Sequence, residues 1–503
     1  MGLLSRRMPA SRANRSKSRF LPFFFLAAAT CAVLLTLSWP KPAQAIEAKP
    51  YEDLVFPTLG DIQIPDYERY ELDNGLVVYL MEDHDLPLVG GSATFRTGSY
   101  LVPPEKVGLA GITGEAMRLG GTLNHSPDEL NEMLEQRAAS VETSIGGTAG
   151  SASFSSLTED LDSVFGLFAD VVTQPAFSEE MLELIKGRTA GGIARRNDDP
   201  DEIASREFSK LVYGAQSPYA RTVEYSSLDN ISRDDVVSFY QGTLSPENTI
   251  LGISGDFDPA KMKALIARTL GAWECEDHMD ITAPPEGTQL ASGVFAVDQP
   301  QLTQSSILIG HIGGELRSPY HAPMAVLNEV LNGFGGRLFN EIRSRQGLAY
   351  SVYAFWSPRY DHNGIFIGGG QTRSEATVPF IQSMYAELDK VRTEPITDTE
   401  LAFAKDSVLN SFVFNFQTPN QTLSRLIRYE YYGYPSDFVF TFRDELESAT
   451  AEEVLAAAQA VLDPDKLITL VVGNTDEIAP TLETLDAQIT PLDVTIPAPT
   501  ASL

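Results

Sequence analysis

The segment GLAGITGEAMRLGGT, residues 108–122, has the composition of a buried catalytic helix but almost none of the side chains that catalysis needs. A catalytic zinc site needs about three protein ligands, drawn from histidine, cysteine, aspartate and glutamate. This segment offers one acid, Glu115, and no histidine occurs between His84 and His125. The helix therefore has at most one candidate ligand.

The other histidines and the cysteines do not supply a metal site either. No two histidines have the spacing of one helical turn among His84, His125, His278, His311, His321 and His362. We interpret each as a surface or hydrogen-bonded residue, and His84 has no candidate partner nearby in sequence. Cys275 with His278 gives too few ligands for zinc, and a solvent-facing linker is the expected setting of Cys275. Cys31 lies within the first 45 residues, so no internal disulfide is expected in the rest of the chain.

A second candidate site lies in GGRLFNEIRSRQGLAYSVYAFW, residues 335–356, which contains Arg343 and Tyr350. The pattern predicts a helix over residues 337–346 that ends at a glycine, with the tyrosine on the following strand. An arginine offers a fork of donors to peptide carbonyls, and a tyrosine hydroxyl can donate to a developing oxyanion. The residues alone equally allow a structural role, in which Arg343 complements the helix C-terminus and Tyr350 packs on one sheet face.

Two segments of the chain align without a gap at an offset of 218 positions. They are DDVVSFYQGTLSPENTILGISGD from Asp234 and EEVLAAAQAVLDPDKLITLVVGN from Glu452. Each has the pattern of an amphipathic helix, a proline turn and an apolar strand that ends in glycine. QPAFSEEM from Gln174 corresponds likewise to EPITDTEL from Glu394, at an offset of 220. The near-constant offsets predict a duplicated domain of roughly 200 residues.

Each copy is predicted to open with strands and to continue with helices. Segregated elements of this kind indicate an α+β fold with two homologous domains, each a mostly antiparallel sheet with helices packed on one face. We place the first domain at residues 60–275 and the second at residues 294–490. The acidic, proline-containing stretch at residues 276–293 is the predicted linker.

Local signals in the first half predict one helix and one edge strand. Ser126 is the expected N-cap of the helix, with a proline at its first position and Glu129 closing a capping box. Four residues form its expected apolar face: Leu130, Met133, Leu134 and Ala138. The weakly alternating residues 141–157 are predicted to form the edge strand.

The first 45 residues differ from the rest of the chain in composition. A basic stretch, an apolar run and an Ala-x-Ala sequence ending at Ala45 predict a cleaved export signal, with an uncleaved membrane anchor as the alternative. Cleavage leaves 30 Lys and Arg residues against 68 Asp and Glu residues, a formal charge of −38. So acidic a surface disfavours nucleic acid and anionic membranes as partners. We expect an exported protein without a stable membrane span, in the periplasm or an equivalent extracytoplasmic lumen.

Residues 65–480 resemble the pitrilysin/insulinase family of zinc peptidases, in the short form whose subunits each contain two homologous α+β domains. Active members have the inverted motif His-x-x-Glu-His after a sequence like Gly-Leu-Ala. Two histidines and a downstream carboxylate bind the zinc there, and the glutamate is the general base.

Aligning the family motif on Gly108 leaves every zinc-binding and general-base role vacant. The two histidine positions fall on Gly111 and Glu115, and the general-base position falls on Gly114. The third ligand falls on Gly191 or Gly192. The resemblance therefore implies that this chain binds no cofactor of its own and is inactive alone. Zinc is expected in a homologous catalytic partner that carries His-x-x-Glu-His.

The second half keeps the residues that the family uses for substrate. In family members an arginine and a tyrosine seven residues apart meet the peptide inside a closed chamber, and here they correspond to Arg343 and Tyr350. We therefore expect the non-catalytic subunit of a heterodimeric, extracytoplasmic zinc peptidase that forms half of the proteolytic chamber. One alternative is a structural or binding subunit of a larger membrane-associated complex without a proteolytic role. Another is a lone peptidase with an unrecognised site.

Overall fold

A computed structural model describes residues 64–275, 279, 281–289 and 291–499. The predicted export signal, residues 1–45, and His278 lie outside these residues. The described residues belong to one compact unit, Ile62–Leu503. No helix within them is both long enough and apolar enough to cross a membrane.

The described part of the first half forms six strands and eight α-helices. The strands are β1 Glu68–Glu71, β2 Val77–Glu82, β3 Leu88–Phe95, β4 Ser140–Ile145, β5 Gly150–Leu157 and β6 Thr249–Gly255. The helices are α1 Leu109–Leu119, α2 Pro127–Glu135, α3 Leu161–Thr173, α4 Glu179–Arg195, α5 Pro200–Tyr213, α6 Tyr225–Asp229, α7 Arg233–Thr243 and α8 Pro259–Leu270.

The described part of the second half has six strands, six α-helices and one π-helix. The strands are β7 Gly293–Asp298, β8 Gln304–Ile312, β9 Ala349–Ser357, β10 Ile365–Arg373, β11 Ile468–Gly473 and β12 Ile489–Pro491. The α-helices are α9 His321–Asn332, α10 Thr377–Thr393, α11 Asp398–Phe412, α12 Pro419–Tyr432, α13 Phe438–Ser448 and α14 Ala451–Val461. The π-helix spans Phe339–Arg345.

Each half contains one six-stranded sheet, and the two sheets have the same strand order apart from one edge. The orders are β1-β2-β6-β3-β5-β4 and β12-β7-β11-β8-β10-β9. One inner pair is parallel in each sheet, β2 with β6 and β7 with β11, and the edge strand β12 is also parallel to β7. The remaining pairs are antiparallel. The predicted α+β class with mostly antiparallel sheets is confirmed.

The duplication predicted from the 218-residue offset is visible in the matching elements. Helices α7 and α14 both begin at a capping box, at Ser232 and Thr450 respectively. Each leads through a 3₁₀ turn, which starts at Pro246 in one half and Pro464 in the other, into a central strand. Those strands, β6 and β11, occupy the same place in their sheets.

One helix from each half packs on the sheet of the other half. From α5, Ile203 and Phe208 are buried in a cluster with Leu308 and Leu470 of the second sheet. In return, Leu423 and Ile427 of α12 lie in a cluster with Tyr79 and Ile250 of the first sheet. The second face of each sheet is thus covered by a helix that belongs to the other half of the chain.

The local predictions in the first half are partly right. The capping box at Ser126 is confirmed, and Leu130 and Leu134 are buried. Ala138 was assigned to the same face, which is wrong because α2 ends at Glu135 and Ala138 is exposed at a φ of 47°. Residues 141–157 form a hairpin, in which β4 is the sheet edge and β5 lies between β3 and β4.

The settings predicted for Cys275, His84 and His321 need correction. Cys275 is half-buried, with its thiol directed at the Gln241 carbonyl 2.9 Å away. His84 has a partner two residues away, since its Nε2 lies 2.7 Å from a carboxylate oxygen of Glu82. His321 packs among aromatic rings, stacked on Phe442 at 4.3 Å, and burial lowers its pKa to about 4.

The imidazole of His84 lies between two carboxylates. Its Nδ1 is 2.5 Å from Asp256 Oδ1, and its Nε2 contacts Glu82. Two hydrogen bonds raise the pKa of His84 above its ordinary value, and the one to Asp256 has a larger effect than the one to Glu82. A histidine whose pKa is raised by folding contributes stability below its unfolded pKa, and this contribution disappears as pH rises through the folded pKa.

We predict that His84→Gln lowers the free energy of unfolding relative to wild type at about pH 5.5 and that this difference is smaller at about pH 8.5, because the contribution of the imidazole is lost as pH rises through its folded pKa. Urea unfolding at the two pH values measures the difference. The matched control is Thr158→Val, which removes a neutral hydrogen bond to the same Asp256 carboxylate. Its effect should not change between the two pH values. An equal effect of His84→Gln at both pH values would refute the assignment.

Candidate functional site

Helix α1, which carries the first three positions aligned with the zinc motif, is held in the core by its apolar face. Leu109, Ile112, Ala116 and Met117 are buried in the core of the first half. The hydroxyl of Thr113, also buried, donates to the Leu109 carbonyl at 2.8 Å, so it leaves no unpaired polar group. The packing of α1 thus requires no metal.

Gly114, at the position of the general base, is closed off by the edge strand β4. A Cβ atom at Gly114 would lie 2.3 Å from the backbone nitrogen of Ile145, closer than real Cβ contacts. The Thr143 hydroxyl also donates to the Gly114 carbonyl at 2.6 Å. Glycine is therefore required for α1 to approach β4, and a glutamate cannot occupy this position without displacing the strand.

The positions aligned with the ligands are open. Gly111 is exposed and, like Gly192 on α4, would have no atom within 4 Å of an added Cβ apart from those of the neighbouring helix backbone. The nearest atom to a Cβ on Gly191 is a guanidinium nitrogen of Arg195 at 3.9 Å. None of these three glycines has a side-chain donor for a metal.

The one acidic residue of the motif, Glu115, forms an ion pair with Arg188 of α4. This pair joins the two helices that would have to supply the zinc ligands, and it engages the only carboxylate present at those positions. A zinc site needs at least three protein ligands, whereas these positions provide one, which already has a cationic partner. The residues do not fit zinc. Elsewhere in the described part of the chain, no three His, Cys, Asp or Glu side chains come together as a metal site.

The two residues of the second candidate site are in contact. The helix predicted over 337–346 is present, but its core from Phe339 to Arg345 is a π-helix, and it is followed by Gly347 in the left-handed region at a φ of 63°. Arg343 Cζ lies 4.6 Å from the centroid of the Tyr350 ring and 4.8 Å from that of Phe339. The guanidinium is thus held against two aromatic rings.

Both polar groups of this pair remain available. Tyr350 is 83% exposed, so packing on the sheet accounts for little of its surface. Among the described residues, neither the Arg343 guanidinium nor the Tyr350 hydroxyl has a hydrogen-bond partner. Arg345, by contrast, pairs with Glu341 on the same helix. Arg343 and Tyr350 can therefore donate hydrogen bonds to a ligand.

A second ion pair fixes the start of this helix. Arg337 donates to both carboxylate oxygens of Glu400 on α11, at 2.7 Å and 3.0 Å. This contact, opposed by partial burial, lowers the pKa of Glu400 to about 2. The two hydrogen bonds position the helix six residues before Arg343, and they hold the carboxylate ionised at neutral pH.

Tyr350 also lines a cleft that both halves of the chain build. The cleft has a volume of about 720 Å³ and lies between α5 of the first half and strands β8, β9 and β10 of the second. Asp201, in the first turn of α5, accepts hydrogen bonds from Ser306 and, at 2.6 Å, from Gln371. Sequence reasoning missed Asp201, because its only local signal is a helix N-terminus after Asp199 and its partners are more than 100 residues away.

Two family descriptions match the chain. Residues 82–221 match the insulinase domain of peptidase family M16, and residues 230–408 match the peptidase M16 inactive domain. The chain belongs to the M16 peptidase family. The predicted resemblance is therefore confirmed.

Relatives of this M16 chain include proteins named as proteases and one named otherwise. It is 23% identical over 412 residues to an uncharacterized zinc protease, YmxG, of Bacillus subtilis, covering 80% of this chain and 98% of the relative. It is 22% identical over 422 residues to the non-peptidase homolog YmxG of Helicobacter pylori, covering 78% of this chain and 90% of that one.

Solved structures share the fold of this M16 chain. The peptidase M16 inactive domain from Pseudomonas fluorescens superposes with a TM-score of 0.73 at 23% identity, covering 82% of this chain and 98% of that one. The periplasmic protease PqqL from Escherichia coli gives a TM-score of 0.66 at 17% identity, covering 88% of this chain and 50% of PqqL.

We predict that alanine substitutions at two glycines of α1 have opposite effects on stability. Gly111→Ala should raise the free energy of unfolding by about 0.5–1 kcal/mol, because alanine favours the helix and the added methyl meets no atom. Gly114→Ala should lower it by about 1–3 kcal/mol, because the methyl would collide with the β4 backbone. Urea unfolding of the two variants provides the comparison. A Gly114→Ala variant as stable as Gly111→Ala would show that α1 does not lie against β4 as described.

Proposed function

We propose that this chain is the non-catalytic subunit of a heterodimeric, extracytoplasmic zinc peptidase. In this role it forms half of the proteolytic chamber, and Arg343 and Tyr350 bind the peptide substrate. One observation carries the proposal: the positions aligned with the metal ligands on α1 and α4 provide only Glu115, whereas the arginine–tyrosine pair is present. Tyr350 is exposed, Arg343 is half-buried, and neither side chain has a hydrogen-bond partner among the described residues.

The first part of the proposal concerns where the zinc is held. The ligand positions of this chain provide only Glu115, which is paired with Arg188. A homologous partner with an intact His-x-x-Glu-His motif would hold the zinc, which polarises the peptide carbonyl and activates water when bound. The M16 inactive-domain match over residues 230–408 supports a division of labour between two chains.

The second part concerns what Arg343 and Tyr350 do. The Arg343 guanidinium carries five N–H donors, and its two ring contacts restrict its orientation while leaving those donors free for peptide carbonyls. The Tyr350 hydroxyl can donate to an oxygen on which negative charge develops. Strand β4 adds a further element for an extended peptide, because it is the edge strand of the first sheet, beside α1.

The compartment is part of the same proposal. The basic and apolar character of the first 45 residues supports export, and the structural neighbour PqqL is a periplasmic protease. A periplasm or an equivalent lumen accords with both observations. An uncleaved membrane anchor is the alternative.

A second function is favoured by the name of one relative. The Helicobacter pylori protein is a non-peptidase homolog, and a structural or binding subunit of a membrane-associated complex would need neither zinc nor a substrate clamp. The two functions differ in whether Arg343 and Tyr350 affect turnover. A lone peptidase is disfavoured by the lost ligand positions.

We predict that Tyr350→Phe lowers kcat of the reconstituted pair by about 10²–10³, since the loss of one oxyanion donor has this effect. Arg343→Ala should raise KM and lower kcat together, because a clamp positions the peptide before and during attack. The measurement is steady-state cleavage of a fluorogenic peptide by this chain mixed with the homologous chain that carries His-x-x-Glu-His.

Arg345→Ala is the matched control for these kinetics. Arg345 is on the same helix as Arg343, is exposed, and pairs with Glu341, so its loss should leave kcat and KM nearly unchanged. Thermal melts, pair formation and partner zinc content should be the same for all three variants. Unchanged kinetics for both Arg343→Ala and Tyr350→Phe would overturn the peptidase role and favour the structural subunit.

A further inference from the structure

The second half contains a cavity of about 440 Å³ that the proposed function does not use. Helix α10 forms one wall, the ends of β7 and β8 form another, and the turn between α14 and β11 closes it. Its apolar lining includes Val294, Phe366, Leu388 and Leu467. A mainly apolar cavity of this size is typical of small-molecule sites.

Arg392, a half-buried residue in the last turn of α10, lines this cavity, and its guanidinium makes no hydrogen bond within the described part of the chain. Its Nε is sealed from solvent and makes no hydrogen bond. The described residues include five arginines with such a nitrogen: Arg118, Arg137, Arg196, Arg392 and Arg425. The other four use their remaining nitrogens for hydrogen bonds to protein oxygens. Within the described chain, Arg392 alone among them has no side-chain hydrogen bond, ion pair or ring contact.

Two neighbouring polar side chains, His311 and Tyr385, already have partners. The His311 side chain is 1% exposed, its Nδ1 contacts the Ile312 carbonyl at 2.6 Å, and its Nε2 accepts from the Asp463 backbone at 3.2 Å. The Tyr385 hydroxyl shares a hydrogen bond of 2.5 Å with Thr469. The cavity therefore presents one cation without a protein partner, Arg392, beside apolar walls and three aspartates, of which Asp463 is paired with Lys466.

We propose that this cavity binds a small amphiphilic carboxylate, with its acid group on Arg392 and its apolar body against Leu388, Phe366 and Val294. Because Nε is sealed from solvent, the carboxylate would bind the two terminal nitrogens of the guanidinium, to which it can make two charge-assisted hydrogen bonds. The lining also contains three acidic residues, Asp389, Asp463 and Asp465, which disfavour ligands of higher negative charge such as phosphates. A carboxylate joined to an apolar body occurs both in a short fatty acid and at the free C-terminus of an apolar peptide.

This site is distinct from the proposed substrate site. Leu388 and Phe366 belong to the core between the second sheet and α10, together with Ile307 and Ile309 of β8. The intervening residue of β8, Leu308, faces α5 on the other side of the sheet. Since α5 forms a wall of the cleft at Tyr350, the sheet separates the two sites.

The test compares acids with their neutral amides by titration calorimetry on the full chain. The probes are N-acetyl-Leu-Phe and octanoate, each beside the corresponding primary amide. At least one acid should bind about tenfold or more tightly than its amide, and the acid that binds identifies the source as peptide or fatty acid. Arg392→Met should abolish the preference for that acid. It should also leave the unfolding temperature of the free protein unchanged or higher, because it removes a sealed, unpaired nitrogen.

Two control variants test whether the preference for the acid depends on Arg392 in particular. Arg268→Met removes an exposed arginine of α8 in the first half and should retain the preference for the acid. Arg343→Ala should retain it as well, which separates this site from the proposed substrate site. Equal binding of acid and amide, no binding of either acid, or full binding by Arg392→Met would each overturn the proposal.

Discussion

The reciprocal packing of α5 and α12 is the contact on which the rest of the structure depends. Each sheet has two apolar faces, and the helices of its own half cover only one of them. The second face is covered by a helix from the other half, through residues such as Phe208 and Ile427. Each large side chain buried in this way contributes about 1.5–3 kcal/mol. Neither half can bury its sheet without the other.

The packing of α5 on the second sheet also forms the cleft that Tyr350 lines. Because α5 crosses to the second sheet, its first turn brings Asp201 to Ser306 and Gln371. Those hydrogen bonds fix the wall opposite Tyr350. A site made of second-half residues thus depends on a first-half helix, and a truncated second half would lose both the wall and the cover of its sheet.

The same core explains why α1 persists without metal ligands. Its buried face and the close fit of Gly114 against β4 are properties of the fold, and they do not involve the outward positions Gly111 and Glu115. Those positions can change at little cost in stability, since one is open and the other forms an ion pair with exposed Arg188. Loss of the ligands is therefore compatible with retention of the helix.

The sequence predicted the features that depend on local signals. The capping box at Ser126, the duplicated α7–β6 and α14–β11 units and the end of the helix at Gly347 follow from residues close to one another in the chain. The family membership was likewise predicted from the sequence, whereas the vacancy of the zinc positions stays a prediction.

What the sequence did not predict depends on partners that are distant in the chain. The pairing of Arg188 with Glu115, the contact of Asp256 with His84 and the crossing of α5 each join residues that only the folded chain brings together. Gly111 and Gly114 are the same residue type three positions apart, yet only Gly114 faces β4. No local pattern distinguishes them.

The zinc content of the purified chain tests most directly whether the metal site is lost. The chain would be incubated with one equivalent of zinc, dialysed and subjected to elemental analysis, with peptide cleavage measured before and after chelation. We predict zinc far below one per chain and no cleavage, because the aligned positions offer Glu115 alone and Arg188 engages it. Near one zinc per chain, with peptidase activity that chelation removes, would contradict the assignment of a non-catalytic subunit.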